Sequence, residues 1–149
     1  LYFDGENIPF PDESFSACTL FAVLTCIATN AGQQHVIHEI QRILRPGGLL
    51  YISDFPLQKD ERNVQRYHRY ETEFGVYGVF RLDDGGIVRH HDTNWINRLI
   101  SDFDIIQEKR LNVCTMNGHP AEAFQLLAKK NIKKARLQLK AGLHKRKAK

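Results

Sequence analysis

Ile43-Leu44-Arg45-Pro46-Gly47-Gly48-Leu49-Leu50-Tyr51-Ile52-Ser53-Asp54-Phe55 is the stretch on which the fold turns. Ile43 and Leu44 close an apolar stripe with Val36, Ile37 and Ile40, spaced as one face of a helix. Pro46 cannot continue that helix, because it has no N–H and collides with the preceding turn. Gly47 or Gly48 can take the left-handed conformation that closes a helix and redirects the chain. Leu49–Phe55 is almost unbroken in apolar residues and is predicted to be a strand buried on both faces. Upstream, Ser16–Val23 is a second short apolar run, bounded by Pro9, Pro11 and Asp12 on one side and by Asn30 and Gly32 on the other. Two such strands joined by a helix form a right-handed βαβ unit. Ligands of open α/β sheets sit beyond the carboxyl ends of the strands, here near Phe21–Leu24 and Ser53–Phe55.

The flanking residues resemble a family. Asp4-Gly5-Glu6-Asn7-Ile8-Pro9-Phe10-Pro11-Asp12-Glu13-Ser14-Phe15 is similar to the D-A-x-x-L-P-F-x-D-x-S-F segment of class I S-adenosylmethionine-dependent methyltransferases, closest to their small-molecule and quinone-type branch. Leu44-Arg45-Pro46-Gly47-Gly48 is similar to the L-[KR]-P-G-G that precedes the family's fifth strand. Ser16 stands where the family often has Asp. The two motifs come in the right order, about thirty residues apart, which is more specific than either alone.

The resemblance implies a Rossmann-like α/β sheet, S-adenosylmethionine as cofactor and a small-molecule acceptor. It also implies roles. Asp4 would accept a hydrogen bond from the adenine amino group, as an acceptor-only carboxylate can, and the Gly5 N–H would reach a ring nitrogen. Read without the family, Asp4 is a turn aspartate. Leu20 and Phe21 would border the adenosyl and methionine portions, and Thr25 would face the substrate. The plain alternatives are core packing for Leu20 and Phe21 and a helix-start hydroxyl for Thr25. No G-x-G-x-G is present and the only methionine is Met116. The family's glycine loop and ribose-binding acid are therefore expected upstream, making this the C-terminal part of a longer protein, inactive alone.

Further along, Asp54 ends the central strand, either orienting a substrate or capping the next turn. Asp60–Phe74 is predicted as a charged helix with Val64, Tyr67, Tyr70 or Glu71, and Phe74 toward one side. In the family this connection covers the acceptor pocket, which makes Tyr67 and Tyr70 pocket candidates against a plain packing role. Val76–Leu82 and Ile87–His91 flank Asp83-Asp84-Gly85-Gly86 and predict a β-hairpin inserted over about residues 75–92. Neighbouring strand residues face opposite ways, so His90 and His91 cannot chelate one ion together. One of them facing the pocket as base or donor is set against the commoner surface histidine. His91, His90 and Tyr70 are the candidate catalytic groups. Asp92 is predicted to cap a helix over Thr93–Ser101. Asp104–Met116 and Glu122–Ala128, joined through Asn117-Gly118, form a second hairpin, like the family's sixth and seventh strands. His35 and His38 lack the spacing of helical zinc motifs, and no metal is implied.

The 149 residues suffice for one domain with a real core, and a hydrophobic content of 42% excludes general disorder. Cys18, Cys26 and Cys114 are odd in number and lie in apolar runs, so they read as reduced core thiols of a cytoplasmic protein. Ala17–Ala28, the longest apolar patch, is too short to span a bilayer. Residues 129–149 hold ten Lys or Arg and no acid, leaving 11 basic against 17 acidic residues before them. An acidic body argues against a nucleic-acid-binding domain; an acidic, lipid or nucleic-acid partner fits only the basic tail, where Ile132, Ala135, Leu139 and Leu143 allow a short amphipathic helix. Two other classes stay open. One is a non-catalytic scaffold using the exposed strand edge. The other is a different Rossmann-like enzyme such as a nicotinamide dehydrogenase, which the Asp4–Phe15 segment and the terminal hairpin disfavour.

Overall fold

The computed structural model describes residues 7–132. Asp4 and Gly5, and the tail positions Ala135, Leu139 and Leu143, lie outside the described residues. The order is β1 (Phe15–Phe21), a 3-10 turn (Leu24–Cys26), α1 (Asn30–Ile43), β2 (Leu44–Asp54), α2 (Glu61–Phe74), β3 (Val79–Arg81), β4 (Ile87–Arg89), α3 (Thr93–Leu99), β5 (Phe103–Cys114) and β6 (Pro120–Lys130).

β1 and β2 are parallel neighbours, with Leu20 opposite Ile52 and Phe21 opposite Ser53. The sheet order is β1-β2-β6-β5. β6 runs antiparallel to both β2 and β5, so the terminal hairpin inserts its second strand beside the central one. β3 and β4 form the separate inserted hairpin. The α/β class and both hairpins thus follow the sequence pattern.

The two helices that frame the core begin on side-chain caps. Thr29 accepts from the Gly32 N–H at the start of α1, and Asp92 from the Trp95 N–H at the start of α3. Their apolar residues Ile37, Ile40, Ile96 and Ile100 pack on Leu20, Leu50, Ile52, Phe124, Leu126 and Ala128 of the sheet. That is one face only. Along β2, Leu50 and Ile52 are fully buried, while Leu49 is 37% exposed. Phe21 on β1 is 65% exposed. Among the described residues only one face of these strands is packed over. The unbroken apolar run fills one face, and its odd-numbered residues stand on a face that the core cluster of the described residues does not use.

Other boundaries move for local reasons. α1 ends at Ile43, and β2 already begins at Leu44, paired with Phe15. Arg45–Gly48 form an irregularity in the ladder, with Gly47 at φ 76°. Gly48 tolerates no Cβ, since one would lie 2.9 Å from the Arg45 carbonyl oxygen. α2 starts at Glu61, because Asp60 is its cap. The last strand runs through Lys130, so the basic tail does not start at 129. Lys130 is only 6% exposed and donates Nζ to the Leu44 carbonyl at 2.7 Å, with burial lowering its pKa. Cys26 and Cys114 are exposed and only Cys18 is half-buried, which corrects the reading of all three as core thiols. Among the described residues no helix is long and apolar enough to cross a membrane.

Candidate functional site

The P-F-P-D segment is tied to α1 by one arginine. Arg42 donates to the carbonyls of Ile8 (2.9 Å) and Phe10 (2.8 Å), to Asp12 (2.9 Å) and to both oxygens of Glu39. Glu39 in turn accepts from the Ile8 N–H at 2.9 Å. Hydrogen bonding from Arg42 holds the Glu39 carboxyl well down, to about 2. Phe10 stands outside the core. It is 37% exposed and packs edge-on against Phe15, centroids 4.8 Å apart.

At the carboxyl ends of the parallel pair, the Ala22 N–H donates to the Ser53 carbonyl at 2.8 Å, and Ala22 itself sits at φ 51°. The chain therefore turns sharply after β1, carrying Thr25 over the end of β2. The Thr25 N–H donates to Asp54 Oδ2 at 3.1 Å, and the Thr25 hydroxyl to the Arg89 carbonyl at 2.8 Å. The Phe55 N–H donates to Asp54 Oδ1 at 2.9 Å. Asp54, 2% exposed, thus caps two backbone groups, which favours the capping alternative. Thr25 likewise spends both its donors on structure.

The inserted hairpin is laced to this end of the sheet. The His91 N–H donates to the Phe55 carbonyl and the Leu57 N–H to the His91 carbonyl, both at 2.9 Å. His90 and His91 are 9% and 1% exposed. The surface-histidine alternative is therefore wrong for both. As alternation requires, they face apart. His90 stacks among Phe55, Tyr67 and Phe80, and its Nδ1 lies 2.5 Å from the Tyr67 hydroxyl. Burial, then the charge of Arg66, pulls the His90 imidazole down to about 3, while burial pushes the Tyr67 phenol up to about 12. The two groups share one hydrogen bond. The Tyr67 oxygen also accepts from the Gln58 N–H at 3.1 Å. Tyr67 is wholly buried, so it supports a pocket without lining one. Tyr70 is half-buried against Phe74, centroids 6.2 Å apart.

His91 faces the other way, toward Asp54 and Phe124. Its Nε2 is 3.4 Å from Asp54 Oδ1, but long and misaligned, so both ring nitrogens are buried without a hydrogen-bond partner. His91 also borders a cavity of about 10 Å³, with Thr93, Asn97 and Phe124, which is room for about one water.

The structure thus brings Thr25, Asp54 and His91 together beside the tips of β1 and β2, and gathers Tyr67 and His90 behind them. Leu20 is core, Phe21 stands open at the tip with the Tyr51 ring 5.4 Å away, and Tyr70 lies apart on α2. Arg89 was missed by the sequence reading. Its signal was an arginine at the end of an otherwise apolar strand, next to two histidines. No group of three or more His, Cys, Asp or Glu among the described residues is placed to hold a metal ion. A groove of about 450 Å³ between α1 and α3, bordered by His38, Trp95 and Asp102, is built from helix residues and holds none of these candidates.

Residues 1–52 match the family described as a methyltransferase domain. A curated relative, 27-O-demethylrifamycin SV methyltransferase of Amycolatopsis mediterranei (strain S699), is 33% identical over 87 residues, covering 56% of this chain and 30% of the relative. Among solved structures, a SAM-dependent methyltransferase from Methanosarcina mazei superposes with a TM-score of 0.80 at 23% identity, covering 87% of this chain and 66% of that one. The 1,6-didemethyltoxoflavin-N1-methyltransferase of Burkholderia thailandensis, solved with 1,6-didemethyltoxoflavin and S-adenosylhomocysteine bound, gives 0.58 at 15% identity, covering 82% and 46%. The chain thus spans under a third of the curated relative it matches and about two thirds or less of these structures. Its fold is that of the class I S-adenosylmethionine-dependent methyltransferases.

Proposed function

We propose that this chain is the acceptor-side part of an S-adenosylmethionine-dependent methyltransferase acting on a small molecule. The observation that carries the reading is the family match over residues 1–52, which contains Asp4, Leu20 and Phe21 and ends on the central strand. The sheet supports it, since β1 and β2 are parallel and aim their carboxyl ends at one place. The half-open face with Leu49 and Phe21 supports a longer protein whose preceding residues cover it and bring the glycine loop.

In this reading Asp4 and Gly5 hold the adenine, exposed Phe21 lies along the adenosyl group, and Leu20 acts from the core below. The donor supplies a sulfonium methyl with a good leaving group, so the protein mainly aligns the acceptor for in-line displacement. The C-terminal hairpin and the β3–β4 insertion wall the acceptor side. Where the acceptor must lose a proton first, His91 is the candidate to take it, because both its ring nitrogens are left unengaged by the fold. His90 is not, because its imidazole is pulled too far down to hold a proton near neutral pH. Thr25, Asp54 and Tyr67 fix this wall and do not touch the acceptor directly.

Isothermal titration with S-adenosylhomocysteine tests the reading on the protein that carries this chain. Saturable one-to-one binding is expected, and residues 1–149 alone should bind far more weakly. Absence of binding by the whole protein would remove the proposal.

A further inference from the structure

Arg89 is the last residue of β4 and is 3% exposed. No carboxylate of the described residues pairs with it. Its Nη1 donates to the Ala28 carbonyl at 3.1 Å and its Nη2 to Asn30 Oδ1 at 2.8 Å, while Nε is buried with no partner. The Trp95 ring lies 5.2 Å from the guanidinium carbon. Desolvation alone accounts for the lowering of its pKa to about 10. A buried cation without a counter-charge is costly, since neutral carbonyls offset only part of the lost hydration.

The geometry of the guanidinium defines the partner it suits. The Nε–Nη2 edge of a guanidinium is a fork that fits a carboxylate with two parallel hydrogen bonds. Here one prong is empty and the other is held by an amide oxygen, a neutral stand-in for a carboxylate oxygen. That oxygen belongs to Asn30, an exposed residue at the first position of α1. Its side chain can swing into water without opening the core. The 14-residue helix α1 starts at the same point, so its N-terminal dipole adds to the attraction for a negative group. The Arg89 carbonyl is bonded to Thr25, whose N–H is bonded to Asp54, which ties the fork to the tips of the parallel strands.

We propose that Arg89 is the recognition point for an oxyanion, a carboxylate in the simplest case, carried by the methyl acceptor. The anion displaces Asn30 Oδ1 and takes both prongs of the fork. This rests on the methyl-transfer reading for the word acceptor; the anion site itself does not. The cofactor's own methionine carboxylate is the other source of the same chemistry, and the test separates the two.

The test uses the protein that carries this chain, saturated with S-adenosylhomocysteine. Sodium benzoate and neutral benzamide are compared as probes at matched ionic strength, reading the melting temperature. Benzoate should raise it and benzamide should not. Arg89→Gln should lose the benzoate response, and Arg89→Lys, which keeps charge but not the fork, should need roughly tenfold more benzoate. Asn30→Ala, a surface change that frees the second prong, should need several-fold less, and it decides the matter even where Arg89→Gln does not fold. S-adenosylhomocysteine affinity should be unchanged in Arg89→Lys and Asn30→Ala. Equal responses to benzoate and benzamide, or an Asn30→Ala response no stronger than wild type, would overturn the site. A loss of S-adenosylhomocysteine affinity in Arg89→Lys would assign the fork to the cofactor and overturn the acceptor role. Failure of the wild type to bind S-adenosylhomocysteine would sink the methyl-transfer reading, while the benzoate comparison, run without it, would still decide the anion site.

Discussion

The Tyr67 hydroxyl and His90 Nδ1 share a hydrogen bond of 2.5 Å, which fastens α2 to the end of the inserted hairpin. The same oxygen accepts from the Gln58 N–H, and Gln58 exchanges hydrogen bonds with the backbone of Glu122 at 2.8 Å. One phenol therefore links the helix, the insertion and the start of β6. Tyr67→Phe leaves Gln58 N–H and His90 Nδ1 buried and unpaired. It should cost about 1–3 kcal/mol in urea unfolding, and loss of nothing measurable would show the link to be idle.

His90 gives the fold an acid sensitivity with a defined sign. Its pKa falls from 6.5 to about 3 on folding. Between those values the unfolded chain binds the extra proton, so the stability is complete above pH 6.5 and is lost as the pH falls toward 3. Glu39 acts the same way lower down, between its ordinary 4.5 and about 2. The window from pH 6.5 to 5 therefore reports on His90. Melting temperatures should fall across it for the wild type and stay flatter for His90→Asn, which keeps an acceptor near Nδ1 but does not titrate. Parallel curves for the two proteins would contradict the assignment.

Gly78 should be the least replaceable glycine of the insertion. It sits at φ 100°, and a Cβ there would lie 2.4 Å from the His90 carbonyl oxygen. Its own carbonyl accepts from the His90 N–H at 2.9 Å. Gly78→Ala should cost about 3 kcal/mol. Gly118→Ala, also left-handed at φ 77° but in open space, should cost only about 1 kcal/mol. Thermal melts of the pair check the difference, and equal losses would mean the close approach at Gly78 is not tight.

Glu39 and Arg42 should govern the order of the P-F-P-D segment more than they govern the core. Removing one partner of this half-buried cluster leaves several groups unpaired, so Glu39→Ala should cost about 2–3 kcal/mol. Its signature is local. Hydrogen exchange at the Ile8 amide, whose acceptor is Glu39, should quicken well beyond that of the α1 amides. Uniform quickening would make the effect global.

Much of this was legible because backbone chemistry punctuates the chain. Pro46 and Gly47, Asn117-Gly118 and Gly85-Gly86 mark turns by conformations that few residues adopt, and Asp60 and Asp92 announce their helices. The sides of the strands were not legible. The run from Leu49 to Phe55 is apolar at odd and even positions alike, so no alternation tells which face meets α1 and α3. The histidines were misjudged for a related reason. Their burial depends on Phe55 and Phe124, distant in sequence, and on Phe80 from the partner strand of the hairpin. Arg89 was passed over because an arginine ordinarily signals surface, and its walls, Ala28, Asn30 and Trp95, are what show the charge to be buried.

Asp4 is the proposed link between this sheet end and a sulfonium donor. Affinity for S-adenosylhomocysteine should be measured by titration calorimetry on the protein that carries this chain, as wild type and as Asp4→Ala. Loss of the adenine hydrogen bond should weaken binding roughly tenfold or more with the melting temperature of the unliganded protein little changed. Equal affinity in the two proteins would contradict it.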